Sequence, residues 1–147
     1  MKKVIAIIFI LFVGSGCQKE EQTLPEVKEI LPDYIHSKDD VVDIQGEITH
    51  LEVFYSFLER VKQGEKSDIR LVTNTSEGAP MLHNLVFDGK SIQSTYDSTR
   101  DGYGQGSIEQ STCERIVEKE VEDKTEYVLE GCNNGVGEKT VLLVEKK

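Results

Sequence analysis

Large aromatic and basic residues are scarce in this chain. It has no tryptophan, five tyrosines and five phenylalanines in 147 residues, which predicts a modest hydrophobic core to which a disulfide would add a sizeable share of stability. It has 17 Lys and Arg against 27 Asp and Glu, a formal net charge of −10. A nucleic-acid-binding protein needs a basic patch to displace counterions from phosphates, so the composition argues against a nucleic acid partner.

Long apolar runs are also missing, with one exception near the N-terminus. Lys2 and Lys3 precede ten apolar residues, Val4 to Val13, and small residues follow. This is the layout of a secretory signal. A helix of ten residues is about 15 Å long, half the ~30 Å hydrocarbon core of a bilayer, so a permanent transmembrane anchor is not expected. Residues 1–16 are predicted to be a signal peptide.

The small residues after the apolar run lead into Cys17. The stretch from Gly14 to Cys17 resembles the lipobox of bacterial lipoproteins, and this resemblance implies that Cys17 carries a lipid. Lipoboxes usually have an aliphatic residue where Gly14 stands, and Gly14 with Gly16 also suits ordinary signal peptidase. We expect an exported protein, lipid-anchored on the outer face of the cytoplasmic membrane, or secreted if the lipid is not added.

The segment after Cys17 is polar and has few apolar residues. Gln18 to Lys38 contains many charged residues together with Pro25 and Pro32, so we interpret residues 17–38 as a lipidated N-terminus followed by a flexible linker. Loss of residues 1–16 removes two lysines and no acid, which changes the net charge from −10 to −12. Residues 39–147 suffice for a single domain.

The stretch from Thr49 to Gly64 predicts an amphipathic helix over about residues 50–63. Its apolar residues recur at helical spacing, and they are Leu51, Phe54, Tyr55, Leu58 and Val61. Thr49 followed by Glu52 matches a capping box, and Gly64 can adopt the left-handed conformation that ends a helix. His50 is expected on the side of the helix opposite the apolar stripe.

Strand patterns fill the chain after the helix. The predicted strands are Ser67–Thr75, Met81–Phe87, Ser91–Asp97, Ile108–Glu120, Thr125–Cys132 and Thr140–Val144. Asp88-Gly89 indicates a two-residue hairpin turn that places Leu85 opposite Ile92. We therefore predict an α+β domain, in which one helix packs on a meandering antiparallel sheet of about five to six strands. The segment Asp40–Ile44 is either a further strand or a packed arm.

Two cysteines flank the predicted turn at Glu122 and Asp123 symmetrically. In a regular hairpin Cys113 and Cys132 face each other at a Cα separation of about 5 Å, within reach of a disulfide. The pairing leaves Cys17 for the lipid. A redox or metal role for the pair would call for a CxxC motif or a nearby histidine, and the sequence has neither.

No catalytic, metal or cofactor motif emerges from the remaining polar residues. His36, His50 and His83 are too scattered to indicate a ligand set or a Ser-His-Asp arrangement. The Gly-rich stretch from residue 98 to 107 lacks the helix that a phosphate-binding loop requires. We interpret it as a candidate binding loop, with Asp101, Tyr103 and Gln105 as the residues that would contact a partner.

Several stretches of the domain together resemble one known family. They are Asp40–Val42, Phe54–Gly64, Asp68–Met81, Phe87–Ile92, Thr95–Gly106 and the two late cysteines. From Asp40 onward the chain is similar to an uncharacterised family of small secreted lipoproteins of Gram-positive spore-forming bacteria, catalogued as a domain of unknown function. The resemblance implies a lipoprotein and a single domain, and it implies no activity, substrate or site.

Taken together, these patterns favour a non-enzymatic lipoprotein of the cell envelope that binds a protein, a peptide or a cell-wall component. The alternative is a small extracytoplasmic hydrolase or an inhibitor-like domain that uses the Gly-rich loop at residues 101–107. The lack of a convergent acid, base and nucleophile favours the first hypothesis.

Overall fold

One helix and two β-sheets are seen in a computed structural model of the protein, which describes residues 31, 33–133 and 138–146. The elements are β1 Val41–Ile44, β2 Glu47–Thr49, α1 Leu51–Gln63, β3 Ser67–Asn74, β4 Pro80–Phe87, β5 Ile92–Asp97, β6 Ile108–Cys113, β7 Arg115–Val121, β8 Lys124–Glu130 and β9 Lys139–Glu145. In the described ranges no helix is long and apolar enough to span a membrane. The predicted signal peptide and Cys17 lie outside the described residues.

The larger sheet has six strands in the order β2-β1-β3-β4-β5-β6, and the smaller has the order β7-β8-β9. The predicted α+β class, with one helix packed on a sheet of six strands, is confirmed; the sheet is mixed and not wholly antiparallel, and the last three strands form a separate sheet. Residues 41–44, left open between strand and arm, form strand β1, which pairs with β3 in parallel. The parallel pairing arises because β2 and α1 carry the chain back to the end of the sheet where β1 began.

The predicted long strand from Ile108 to Glu120 is divided between the two sheets. It breaks at Glu114, so β6 pairs with β5 while β7 pairs with β8. The backbone N–H of Glu114 donates to the carbonyl of Glu130 at 2.9 Å, which keeps the break next to the end of β8. The last predicted strand, Thr140–Val144, lies in β9, which pairs with β8 in the smaller sheet and not with the strands of the larger one.

Helix α1 ends as predicted and begins differently. Gly64 has a left-handed φ of 75°, and its N–H donates to Val61. The predicted capping box is wrong because Thr49 is part of β2, where it pairs with Val42. His50 occupies the N-cap position with a φ of 57° and makes no side-chain cap bond to the helix. Its Nδ1 lies 2.9 Å from the carbonyl oxygen of Asp40, so this residue joins the helix start to β1.

The buried face of the helix is rotated from the predicted stripe. Its buried residues are Phe54, Phe57 and Leu58. Tyr55, which the pattern assigned to the core, is 44% exposed. Phe57 is buried in the main core instead, while Tyr55 lies towards the smaller sheet, with its ring centre 6.5 Å from that of Tyr127 in β8. Sequence periodicity contains no information about that second sheet.

The main core lies between α1, one face of the six-stranded sheet and one face of the smaller sheet. Its fully buried side chains include Phe54, Leu85, Ile92 and Leu129. A second cluster on the opposite face of the large sheet contains Val42, Val72 and Leu82, with Tyr34 packed against it. Tyr34 belongs to the segment that the sequence analysis interpreted as the flexible linker.

The hairpin that joins β4 to β5 has a four-residue loop, Asp88 to Ser91, in place of the predicted two-residue turn. The Asp88 carboxylate accepts the backbone N–H groups of Lys90 and Ser91 at 2.8 and 2.9 Å, which closes the longer loop. Phe87 therefore faces Ile92, two positions away from the predicted register. A shift of two residues keeps every side chain on its predicted face.

Candidate functional site

A disulfide joins the two sheets. Cys113, the last residue of β6, is bonded to Cys132, which follows β8, with an S–S distance of 2.00 Å and a Cα separation of 3.9 Å. The predicted pairing is therefore confirmed. Cys113 is buried in the main core, so the bond fixes the end of β6 against the segment that leaves β8.

The loop between β5 and β6 is closed at its base by three hydrogen bonds. The backbone N–H of Ser98 donates to the carbonyl of Ser107 at 2.9 Å, and the hydroxyl of Ser98 both accepts from the N–H of Ser107 at 3.0 Å and donates to its carbonyl at 3.2 Å. Gly106 has a φ of 21°, and a Cβ there would lie 2.8 Å from the Cα of Thr99. The closed base holds the intervening residues as one compact loop.

Tyr103 lies at the tip of this loop and is 85% exposed. Its backbone N–H donates to the carboxylate of Asp101 at 3.0 Å. Asp101, which the sequence analysis predicted to contact a partner, therefore supports the turn that presents Tyr103. Gln105 is exposed beside it. The structure brings all three predicted residues into one loop, and Tyr103 is the largest surface that they offer.

Next to this loop, β5 and β6 form a shallow cleft of about 240 Å³. Its lining residues are all neutral and polar: Gln93, Ser94, Thr95, Gln110, Ser111, Thr112 and Asn133. Sequence reasoning missed this cleft. The signal was present, because the tripeptide Gln-Ser-Thr occurs twice, at residues 93–95 and 110–112.

A serine and a histidine meet beneath the cleft. Nε2 of His83 lies 2.7 Å from Oγ of Ser94. The residue paired directly with His83 on β5 is Tyr96, so the contact with Ser94 is diagonal. Burial and the positive charge of Lys139 lower the pKa of His83 to about 4, so the imidazole is neutral at pH 7 and a weak base. Ser94 is only 2% exposed. The pair satisfies two buried polar groups and lacks the access that a nucleophile needs.

On the face of the large sheet that carries the second apolar cluster, the hydroxyl of Tyr34 is surrounded by polar groups. Its hydroxyl donates to Oδ2 of Asp40 at 2.6 Å and accepts from Nη1 of Arg70 at 3.3 Å. Burial and the Asp40 carboxylate raise the pKa of Tyr34. The guanidinium carbon of Arg100, in the loop after β5, lies 5.8 Å from the centre of the Tyr34 ring. Tyr34 thus contacts the base of the candidate binding loop.

Potential metal ligands are not clustered in the part of the chain that the structure describes. Among residues 31, 33–133 and 138–146, no group of three or more His, Cys, Asp or Glu side chains is arranged to hold a metal ion. The acidic side chains described there lie mostly on the surface, several of them in ion pairs such as that between Arg115 and Glu130 at 2.7 Å.

Comparison with known proteins identifies one family model. The model, described as a domain of unknown function (DUF4362), matches residues 38–128. This range contains the six-stranded sheet, α1, the loop with Tyr103 and both Gln-Ser-Thr tripeptides. No curated protein and no solved structure matches the chain.

Proposed function

Because this chain belongs to the DUF4362 family of domains of unknown function, we propose a function from its own residues: a cell-envelope lipoprotein whose domain binds a partner through β5, β6 and their loop. The observation that carries this proposal is the 85% exposure of Tyr103 on a loop with a closed base. Tyrosine is among the residues that contribute most to binding energy at interfaces. A loop held in one conformation loses little entropy on binding.

The cell-envelope location rests on the N-terminus and the cysteines. Lys2, Lys3 and the apolar run to Val13 have the layout of an export signal, and Cys17 follows small residues as a lipidated cysteine does. A disulfide between Cys113 and Cys132 fits an oxidising compartment outside the cytoplasm. The lipid would hold the domain at the outer face of the membrane, where it can meet an envelope protein, a peptide or the cell wall.

Binding is favoured over hydrolysis by the state of the serine and histidine pair. His83, with a pKa of about 4, has little tendency to take a proton from Ser94 at neutral pH, and both residues are buried. The exposed features of the loop tip and the cleft are a tyrosine and neutral polar side chains, with Ile108 and Glu109 exposed at the start of β6. These groups suit recognition, and among the described residues the one hydroxyl that contacts a histidine, that of Ser94, is buried.

The test is crosslinking in intact cells that express the full chain, followed by purification and identification of the crosslinked partner. We expect Tyr103→Ala to reduce the crosslinked product about tenfold, because it removes the one large aromatic side chain that the loop presents. Tyr55→Ala is the matched control, since Tyr55 is an exposed tyrosine on the helix. Equal yields from wild type and Tyr103→Ala would refute the proposal.

A further inference from the structure

The two Gln-Ser-Thr tripeptides form a symmetric array across β5 and β6. Because the strands are antiparallel, Gln93 faces Thr112, Ser94 faces Ser111 and Thr95 faces Gln110. The same three side-chain types therefore appear twice, related by an approximate two-fold axis through the Ser94–Ser111 pair. Side chains alternate between the faces of a sheet, so the two glutamines and two threonines share the open face.

These four side chains are available for a ligand. Gln93, Gln110 and Thr112 are exposed and Thr95 is half-buried. Within the described part of the chain, none of the four side chains has a hydrogen-bond partner. Facing residues lie about 5 Å apart and residues two positions along a strand about 7 Å apart. The four side chains thus lie at the corners of a compact rectangle, with one amide and one hydroxyl at each end.

Asn133 closes one end of the cleft. Its side-chain oxygen accepts the backbone N–H of Thr112 at 3.0 Å, and its own N–H donates to the Thr112 carbonyl at 3.0 Å. These bonds hold the side chain in place, while its NH₂ group donates to none of the residues that the structure describes. The disulfide at Cys132, the preceding residue, further restricts the position of Asn133. The cleft is therefore prearranged at this end.

The chemistry of the lining indicates what kind of ligand fits. Amides and hydroxyls both donate and accept hydrogen bonds, and no lining residue is charged or apolar. This is unusual in a chain in which 30% of residues are charged and 37% hydrophobic. A peptide is normally recognised through pockets for its charged or apolar side chains, and such pockets are missing from the lining. A ligand rich in hydroxyl and amide groups matches better.

We propose that the cleft between the two Gln-Ser-Thr tripeptides binds an uncharged glycan that carries hydroxyl and acetamido groups. This inference rests on the proposed binding function and names the class of its partner. The volume of about 240 Å³ is below the ~300 Å³ at which pockets for drug-sized ligands begin, so the cleft holds a single sugar ring of a longer chain. The exposed Tyr103, on the loop that joins the same two strands, offers a ring surface for a neighbouring sugar.

The test is a titration of ¹⁵N-labelled protein, purified after expression of the full chain, with a β-linked tetrasaccharide of N-acetylglucosamine. We expect the backbone amide signals of residues 93–95 and 110–112 to shift. Gln93→Ala and Gln110→Ala should each weaken binding about three- to tenfold through loss of a hydrogen bond. Both variants should lose affinity because each glutamine contributes one of the two amides of the array. Gln63→Ala, at an exposed glutamine of α1, should leave the affinity unchanged.

An uncharged tetra-alanine peptide with blocked ends separates the two classes of partner. The inference is overturned if this peptide shifts the same signals as strongly as the tetrasaccharide, or if Gln63→Ala weakens binding as much as Gln93→Ala. It is also overturned if the sugar shifts none of these signals. In that case, a crosslinked product that still depends on Tyr103 shows that the proposed binding function survives with a partner other than a glycan. If the Tyr103 dependence is missing as well, both proposals fail.

Discussion

The hydroxyl of Tyr34 donates a hydrogen bond to the carboxylate of Asp40 over 2.6 Å, and this contact fastens the segment before β1 to the large sheet. Asp40 is 3% exposed, and the backbone N–H of Ser37 also donates to the same oxygen. The ring of Tyr34 meanwhile covers the apolar cluster that contains Val72. The residues just before β1 are thus part of the packed structure.

This contact predicts the effect of Tyr34→Phe. The ring and its apolar packing are kept, while the buried carboxylate of Asp40 loses one of its donors, so the free energy of unfolding should fall by about 1 to 3 kcal/mol. Urea unfolding measures the change. Tyr103→Phe, at an exposed tyrosine, should change it by less than about 0.5 kcal/mol. Equal changes in the two variants would contradict the role assigned to the Tyr34 hydroxyl.

The rotated face of α1 gives a second prediction. Phe57 is 2% exposed, so Phe57→Ala should lower the free energy of unfolding by about 3 to 5 kcal/mol through lost burial and a cavity. Tyr55 is 44% exposed, and Tyr55→Ala should cost at most about 1.5 kcal/mol. Chemical denaturation of both variants distinguishes the faces. A larger loss of stability in Tyr55→Ala than in Phe57→Ala would show that the buried face of the helix is the one predicted from periodicity.

The disulfide gives a third prediction. Its cysteines are 19 residues apart in sequence, and closure of a loop of this length stabilises a protein by about 3 kcal/mol in the chain-entropy model. Reduction should therefore lower the melting temperature. Mass mapping without reductant should recover one peptide pair that links Cys113 to Cys132. Two free thiols in protein taken directly from the cell envelope would contradict the bond.

The depressed pKa of His83 predicts a dependence of stability on pH. The pKa is about 4 in the folded protein against 6.5 for a free histidine. Between these values the unfolded chain binds the extra proton, so the stability is fully present above pH 6.5 and is lost as the pH falls towards 4. The loss is on the order of 3 kcal/mol.

Carboxylates also titrate as the pH falls towards 4, so the contribution of His83 is measured as a difference in stability loss between wild type and a variant. The free energy of unfolding of wild type and of His83→Gln should be compared at pH 7 and at pH 4.5. The variant should lose less stability than wild type. His36→Gln, at an exposed histidine, should lose as much as wild type. Parallel losses in all three proteins would mean that His83 does not titrate as assigned.

Cys17 gives the fifth prediction. Cells fed a labelled fatty acid should transfer the label to the protein, because the lipobox-like stretch ends at Cys17. Cys17→Ser should abolish labelling and release the domain into the medium. Wild-type protein with an unmodified N-terminus at Cys17 would favour ordinary secretion.

The sequence predicted β3, β4 and β5 well because their patterns are local. Alternating side chains between turn residues define β3, β4 and β5, and the predicted bounds agree with the structure to within one residue. The capping box failed for a tertiary reason. Thr49 has the local chemistry of a helix cap, but its backbone pairs with Val42 in β2, and that pairing depends on residues outside the pattern.

The break at Glu114 was not predictable from the sequence, since no glycine, proline or other turn residue marks it. The break depends on the second sheet, to which Glu114 is tied through Glu130. The cleft was missed for a different reason. Its two tripeptides are separated in sequence and become neighbours only when β5 and β6 pair. The disulfide was predictable because both cysteines flank one hairpin turn, so their pairing needs no information about the second sheet.

The closed base of the loop between β5 and β6 also bears on how this protein can evolve. Ser98 and Ser107 fix the strand ends, and Gly106 is required by the close approach of Thr99. Residues between these positions, Tyr103 among them, can be exchanged or lengthened without a change in the register of the strands. Substitutions of a few loop residues can therefore change the binding partner, while the sheet that supports the loop stays the same.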